Sequence, residues 1–433
     1  MDNEYTKEYI NKLRTCDEVV GMIRDGEFIS AGQFAGNPHG LFSSLHKIKG
    51  RAKDVTFQCS AIFEDYPFLT DEELVGTLFC ESFFYGAKER KAHTIGLMSF
   101  MPGGLSLVAA KKLNYRKPTM FWGMSSPMDA HGNFNIGLSI AYEMEMLEEA
   151  DIVVIEVNEQ APRVFGDNTV AIRDVDFIVE HSHSIPTLSP SAITDVEDAI
   201  GANVASLVED GATIQLGIGN IPDAVGLHLL GKKDLNIHTE LITDSMAWLY
   251  RQGAVTNKGK RLWKNKIVGT FIMGSKELYE FVNDNPIVEL KRGSTVNNPF
   301  VIALNDNQCS INTAISVDLT GAVASESIGH TQYSATGGQF ETAYGAQYSK
   351  GGKSIIALRS TAKKGTVSTI VPRFEMGTVT TLGRNDVDFV VTEYGVAAMR
   401  GRAIRDRVPA LINIAHPDFR DGLRAASEEL KIW

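Results

Sequence analysis

In the stretch GATIQLGIGNIPDAVGLHLLGKKDLNIHTELITDS, residues 211–245, a tight glycine turn and a lone carboxylate, Glu240, stand about one βαβ unit apart. A glycine turn at the start of a helix can hold phosphate or oxyanion groups on its backbone N–H groups. A carboxylate at the end of the following strand faces the same crevice, because open α/β sheets bind ligands at the carboxyl ends of their strands. Three readings of this pair compete. Glu240 is the ribose-binding acid of a dinucleotide fold, about 20 residues past the glycines. Or it is a nucleophile that forms a covalent acyl intermediate. Or it is a solvated strand-end carboxylate with no chemistry. The dinucleotide fingerprint is incomplete, since Pro222 stands where its third glycine belongs.

The elements that must position these groups are legible locally. The apolar run Ala212 to Leu216 predicts a buried strand of a parallel sheet. Gly217 and Gly219 let the chain turn sharply beside a ligand. Pro222 suits the first turn of a helix, where its missing N–H is not needed. That helix is expected to run through Val225, Leu227 and Leu230 to a cap at Gly231. A second strand, Ile237 to Ile242, is expected to carry Glu240 near its C-terminal end.

Further along, SATGGQFETAYGA (residues 334–346) reads as a second flexible glycine-rich loop. Gly337 and Gly338 could present N–H groups to a developing oxyanion, with the Gln339 amide beside them. A plain hairpin or bulge is the commoner reading of such a pair. Lys350-Gly351-Gly352-Lys353-Ser354 looks like the end of a P-loop, but Gln347 occupies the place of its first glycine and an expected strand, Ile355–Leu358, follows instead of a helix. The P-loop is rejected; Lys350 or Lys353 remains a possible phosphate contact beside the plainer reading of a solvated turn. His238 shares the Glu240 strand and either tunes the acid or neighbours it. The ten histidines form no ligand spacing, so no metal is expected. There is no G-x-S-x-G elbow, which disfavours a serine hydrolase.

The 433 residues suffice for two or three domains, and 43% hydrophobic with 22% charged residues is an ordinary soluble composition. A net charge of −11 without a basic block argues against nucleic acid and anionic membrane surfaces. An anionic ligand must therefore be held by local amides and a few lysines. The N-terminus lacks a signal-peptide pattern, and no apolar run reaches the ~20 residues of a membrane span. Cys16, Cys59, Cys80 and Cys309 are scattered and read as free thiols in a reducing cytoplasm.

The two halves echo each other. Asp25–Gly32 (DGEFISAG) parallels Asp210–Gly217 (DGATIQLG), Asp129-Ala130-His131-Gly132 parallels Asp318-Leu319-Thr320-Gly321, and Asp151–Glu156 is set against Asp388–Glu393. Three pairs in one order imply a duplication. The expected fold is α/β: two related open-sheet α/β domains with a cleft between them, residues 1–190 and 191–433, the second carrying the glutamate.

Taken together, GIGNIP, IHTELITD, SINTAISVDLTG, SESIG, TGGQ, SKGGKSIIAL and ALINIAHPDFR resemble the acetyl-CoA hydrolase/transferase family, in its 4-hydroxybutyrate and butyrate CoA-transferase branch. SSPMDAHGNFNIG, ADIVVIEVNEQAPRVFGD and RNDVDFVVTEYGVAAMRG extend the likeness over nearly the whole chain. The resemblance implies a class I CoA-transferase of two similar α/β domains, moving CoA between short-chain acids such as acetate, butyrate or 4-hydroxybutyrate. It implies ping-pong chemistry on Glu240 through a glutamyl-CoA thioester. The segments matching the family's CoA contacts are Gly217, Ile218, Gly219, Asn220 and Ile221; Asn312 and Ile315; Gly337, Gly338 and Gln339; and Lys353. CoA is a substrate, so no cofactor is implied, and the expected assembly is a homodimer or higher homo-oligomer. An acyl-CoA hydrolase using the same site, or a non-catalytic CoA-binding sensor, are the alternatives. The chain departs from the branch at Thr243-Asp244-Ser245, at Phe340-Glu341-Thr342-Ala343-Tyr344 and at Arg163-Val164-Phe165-Gly166. These departures leave the acid unassigned.

Overall fold

Both strands expected ahead of a glycine turn lie inside parallel sheets. The computed structural model describes residues 4–188 and 192–433, so the boundary expected at 190/191 lies outside the described residues. Phe28–Ala31 sits between Val55–Gln58 and Met120–Ser125 in a seven-stranded parallel sheet that continues through Ile152–Val157 to Phe177–Glu180. Thr213–Leu216 sits between Asn236–Ile237 and Gln308–Thr313 in a six-stranded sheet that continues through Lys353–Ala357 to Phe389–Thr392. The last strand of that sheet, Gly395–Ala398, is antiparallel. The central strands FISA, MFWGMS and TIQL are buried at every residue, as strands covered on both faces must be.

The chain divides into two compact units. The first runs up to Leu188 and takes back Gly269–Thr295; the second holds the remainder to Val268 and Val296–Trp433. The sequence reading places residues 269–295 with the second domain, and the packing places them with the first. Phe271 stacks on Phe34 at 4.5 Å between ring centroids, Ile272 N donates to Leu138 O at 2.9 Å, and Ile140 N donates to Thr270 O at 3.0 Å.

The duplication is visible in hydrogen bonds as well as in strand order. Asp25 Oδ1 accepts from Lys53 N, and Asp210 Oδ1 accepts from Lys233 N, both at 2.8 Å. Asp129 Oδ1 accepts from the N–H groups two and four residues on, His131 and Asn133, and Asp318 Oδ1 does the same with Thr320 and Ala322. The other oxygen of each takes an arginine at 3.2 Å, Arg163 on Asp129 and Arg373 on Asp318. The third expected pair needs correction. Strand position makes Asp176–Val179, not Asp151–Val154, the partner of Asp388–Val391. Asp176 Oδ2 accepts from Val153 N and Asp388 Oδ2 from Ser354 N, each at 2.8 Å.

In the second unit, the helix Asn220–His228 is seated by two close approaches. A Cβ on Gly201 of the helix Asp195–Leu207 would meet the Ala224 backbone, and one on Gly226 would meet Ser245 of the helix Asp244–Arg251. The loop at its N-terminus is thereby held over the carboxyl edge of the sheet.

Candidate active site

Glu240 lies just beyond the sheet. The expected strand Ile237–Ile242 is shorter in fact: the pairing Asn236–Ile237 ends with a single bridge from His238 to Val268, and Glu240 falls in a bend. The Thr239 hydroxyl causes the turn-off, donating to Leu241 O at 3.0 Å while its N–H binds Val268 O.

Around the carboxylate three elements of the second unit converge. Asn297, fully buried, donates from Nδ2 to Glu240 Oε2 at 2.7 Å. The Gly338 backbone lies against the same oxygen and favours the ionised form. A Cβ on Gly338 would overlap both Glu240 Oε2 and Asn297 Nδ2, so the position requires glycine for space. Gly337 requires it for conformation, with φ +51. Burial pushes the Glu240 carboxyl up to about 7, and the nearby Glu341 carboxylate adds to the rise; the Asn297 donor and the Gly338 backbone oppose it. Glu240 nonetheless keeps some accessible surface, so a substrate can reach it. A carboxylate poised near neutral pH beside the Asn297 donor suits nucleophilic attack with oxyanion stabilisation.

His238 braces this arrangement. Its Nδ1 accepts from Asn305 Nδ2 at 3.0 Å, so its Nε2–H donates to Val296 O at 2.9 Å, fixing the main chain beside Asn297. Burial and the Lys260 ammonium push the imidazole down to about 3, keeping it neutral.

A cleft of about 720 Å³ in the same unit, whose lining does not include Glu240 itself, is walled by Ile218, Gly219, Asn220, Ile221, Thr313 and Ile315 among others. Gly219, with φ +109, caps the helix that follows. Gln339 ties the cleft to the carboxylate loop: its Nε2 donates to Thr313 O at 2.8 Å. Gly217 precedes the cleft-lining loop and meets no neighbour at its Cβ position. Asn312, half-buried, donates to Ser310 Oγ and to Thr342 Oγ1 under the helix Gln339–Tyr348.

Lys353 is a correction. It starts its strand, at the sheet edge opposite the glycine loop, and its Nζ binds Leu207 O and Glu209 Oε1 at 2.8 Å each. Lys350 precedes the same strand, and its carbonyl pairs with Asn307 N.

The sequence reading missed Asn297, Glu341 and the cationic wall of the cleft at Arg359, Lys363 and Lys364. Asn298 caps the short helix Pro299–Ile302, accepting from Phe300 N, and sets Asn297 just ahead of it. Among the departures from the branch, Glu341 acts on the carboxylate through its charge, whereas the Ser245 hydroxyl shares a hydrogen bond with Thr243. In the first unit the corresponding glycine turn is closed, because buried Glu143 accepts from Gln33 N and Tyr142 N. Among the described residues no group of three or more metal-ligating side chains could hold an ion, and no helix is long and apolar enough to cross a membrane.

Family models match at both ends: the acetyl-CoA hydrolase/transferase N-terminal domain over residues 1–189 and the C-terminal domain over residues 274–427. The chain is 43% identical to the 4-hydroxybutyrate coenzyme A transferase of Clostridium kluyveri, over 97% of this chain and 98% of that one. It is 41% identical to the succinyl-CoA:cyclohexane-1-carboxylate CoA transferase of Geobacter metallireducens, over 98% and 97% respectively. Its fold matches that of RipA from Yersinia pestis with a TM-score of 0.94 at 35% identity, over 100% of each chain.

Proposed function

Because the chain belongs to the acetyl-CoA hydrolase/transferase family, we propose that it moves CoA from a short-chain acyl-CoA to a second carboxylic acid, with Glu240 as the nucleophile. The observation that carries this reading is the buried Asn297 Nδ2 donating to the Glu240 carboxylate, with the Gly338 backbone packed against the same oxygen. The ionised carboxylate attacks the thioester carbonyl, while the Asn297 amide holds the glutamyl oxygen that becomes the oxyanion when the thiolate attacks in turn. Collapse expels CoA thiolate and leaves an acyl–glutamyl anhydride. The thiolate then attacks the glutamyl carbonyl, the donor acid leaves as carboxylate, and Glu240 holds CoA as a thioester. An acceptor carboxylate runs the steps in reverse. Since one carboxylate replaces another throughout, the thioester bond energy is kept rather than lost to water. Binding the CoA body in the cleft lowers the barrier at the distant thioester.

The relatives act on 4-hydroxybutyrate and on a cyclohexane carboxylate by name, so the acid proposed here is a small aliphatic or alicyclic one. We further propose a cytoplasmic homodimer with no separate cofactor. Free cysteines, of which Cys59, Cys80 and Cys309 are buried, agree with a reducing compartment. A monomeric mass in light scattering would exclude the dimer.

The test is to incubate the protein with an acyl-CoA alone and measure its mass. Glu240 should gain the mass of CoA, and borohydride should reduce that thioester and inactivate the protein irreversibly. Transfer requires the second acid; steady turnover without it would mark a hydrolase. An adduct on Glu341, or transfer with no adduct, would overturn the assignment.

A further inference from the structure

Lys260 takes no part in the steps above, yet it is buried: 3% exposed, with Nζ donating to Ile237 O at 2.7 Å and to Lys266 O at 2.9 Å. Burying an ammonium is unfavourable, and an apolar side chain of the same length would avoid the cost. Its location gives it a task. Asn236–Ile237 is the outer strand of its sheet, bracketed by the single bridges Leu235 to Val255 and His238 to Val268. Between those bridges the neighbouring chain leaves the sheet, and Ile237 would lack partners on that side. Side chains replace the missing strand. Asn257 Oδ1 accepts from Ile237 N at 2.8 Å, and Lys260 takes the Ile237 carbonyl. The loop that delivers them turns through left-handed Asn257, Trp263 and Asn265, with φ +55, +52 and +66. A bulky residue in that region is an outlier. Here it sets the indole edge against His238, 5.2 Å between ring centroids, with Lys260 Nζ 5.9 Å from the indole centroid.

Through these contacts the lysine acts on both groups of the site. Ile237 lies three residues before Glu240, and Lys266 leads into Val268, whose carbonyl accepts from Thr239 N where the chain turns off to Glu240. One ammonium thus ties the strand end to the segment that receives the turn. The second link runs through His238. Arg261 N and Leu262 N, next to Lys260, donate to Asn305 Oδ1 at 3.1 Å each, and Asn305 Nδ2 donates to His238 Nδ1. The opposite ring nitrogen donates to Val296 O, just ahead of Asn297. This chain of bonds holds only while Nδ1 is free to accept, since a proton there would point at the Asn305 amide N–H groups. Burial opposes that proton, and so does the Lys260 ammonium. The other groups against the ring, Asn305, Trp263 and the Val296 carbonyl, are uncharged, and Glu240 stands two residues on.

We propose that Lys260 is a positioning residue for the transfer: its ammonium fixes the main chain that carries Glu240 and, through His238, the main chain that carries Asn297. This rests on Glu240 acting as the nucleophile. Lys260→Met keeps the length of the side chain and removes its charge and donors. In the transfer assay kcat should fall about tenfold with KM within about twofold, because the fault lies in the geometry of attack and not in binding. The loss should deepen in acid. The ratio of wild-type to variant kcat should grow about threefold or more from about pH 8 to about pH 5.5, as His238 takes up a proton in the variant and not in wild type. The His238 ring signal in NMR, assigned by its absence from His238→Gln, should titrate at a higher pH in the variant. Lys260→Arg keeps the charge and should recover most of the rate and the wild-type pH profile. Lys260→Gln keeps a donor without the charge; it should show the same acid loss and serves where the Met variant does not fold. A kcat within about twofold of wild type in a folded uncharged variant, or a rise in KM alone, overturns the proposal. So does a loss equal at every pH with His238 titrating as in wild type, which would make the lysine a packing residue only. The NMR titration needs no turnover. No transfer by wild type, with the His238 shift intact, removes the transfer reading and leaves the Lys260 contact with His238 in place.

Discussion

Asn297 Nδ2 stands 2.7 Å from Glu240 Oε2, on an amide whose Oδ1 has no hydrogen-bond partner among the described residues. A buried amide with one unpaired end is held by its backbone, not by a side-chain network. His238 fixes the carbonyl of the residue before it, and Asn298 starts the helix after it. Asn297→Ala should lower kcat by about 10²–10³, the usual loss of one oxyanion donor, and leave KM nearly unchanged. Steady-state kinetics on the folded variant decide; an unchanged kcat would reduce Asn297 to packing.

The two glycines of the second loop should respond differently. Gly338→Ala places a methyl where Glu240 Oε2 and Asn297 Nδ2 already lie, so the carboxylate must move. A displacement on the order of 1 Å costs about 10²-fold in kcat. Gly337→Ala has open space, with Glu240 Oε1 4.0 Å away, and meets only the cost of φ +51, about 1 kcal/mol of stability. Thermal melts and kcat for both variants should separate these causes; equal kinetic losses would refute the steric argument.

His238 should act only by position. Its imidazole is held down to about 3 by burial and by Lys260, so it stays neutral above pH 5. His238→Ala leaves Val296 O and Asn305 Nδ2 without their buried partner, at a cost of about 2–4 kcal/mol. The kcat should fall while the pH profile keeps its shape. Loss of a limb of that profile in the variant would show that His238 carries a proton in the reaction.

Much of this was legible in the chain because it is local. Strands entering glycine turns, the Asp210–Gly217 echo of Asp25–Gly32 and the isolation of Glu240 all follow from short-range pattern. What escaped depends on tertiary position. Asn297 meets Glu240 across 57 residues, with no periodic signal between them. Lys353 stands beside glycines, but only strand direction shows that it begins its strand and so faces the wrong edge. The Ile-Val-Val run after Asp151 resembles the run after Asp388, and strand order alone names Asp176 as the true partner.

Lys353→Ala should therefore leave the KM for the CoA ester unchanged. Its ammonium pairs with the exposed Glu209 and caps the Leu207 carbonyl, so the loss is one of stability, about 1 kcal/mol at most. A raised KM would return Lys353 to the CoA site.

The raised Glu240 pKa makes a paired prediction for rate and stability. Acyl-CoA attack needs the carboxylate, so kcat/KM should climb with pH and level off above about 7, where burial and Glu341 have moved the group. For stability the same shift works in the other direction. Below the unfolded carboxyl pKa of about 4.3 both states hold the proton and no penalty arises. Between that value and about 7 the folded state holds the proton more tightly than the unfolded state, so stability falls as pH rises through this window. Above it the native protein carries a buried charge at a cost of about 2–3 kcal/mol, reduced by the residual solvent access of the residue. Glu240→Gln removes the charge and keeps the shape and the Asn297 contact. The variant should be inactive, equal to wild type in urea stability near pH 4, and more stable than wild type at pH 8 by about 2–3 kcal/mol. A stability difference that does not grow between those pH values would mean that the carboxyl is not held near neutrality.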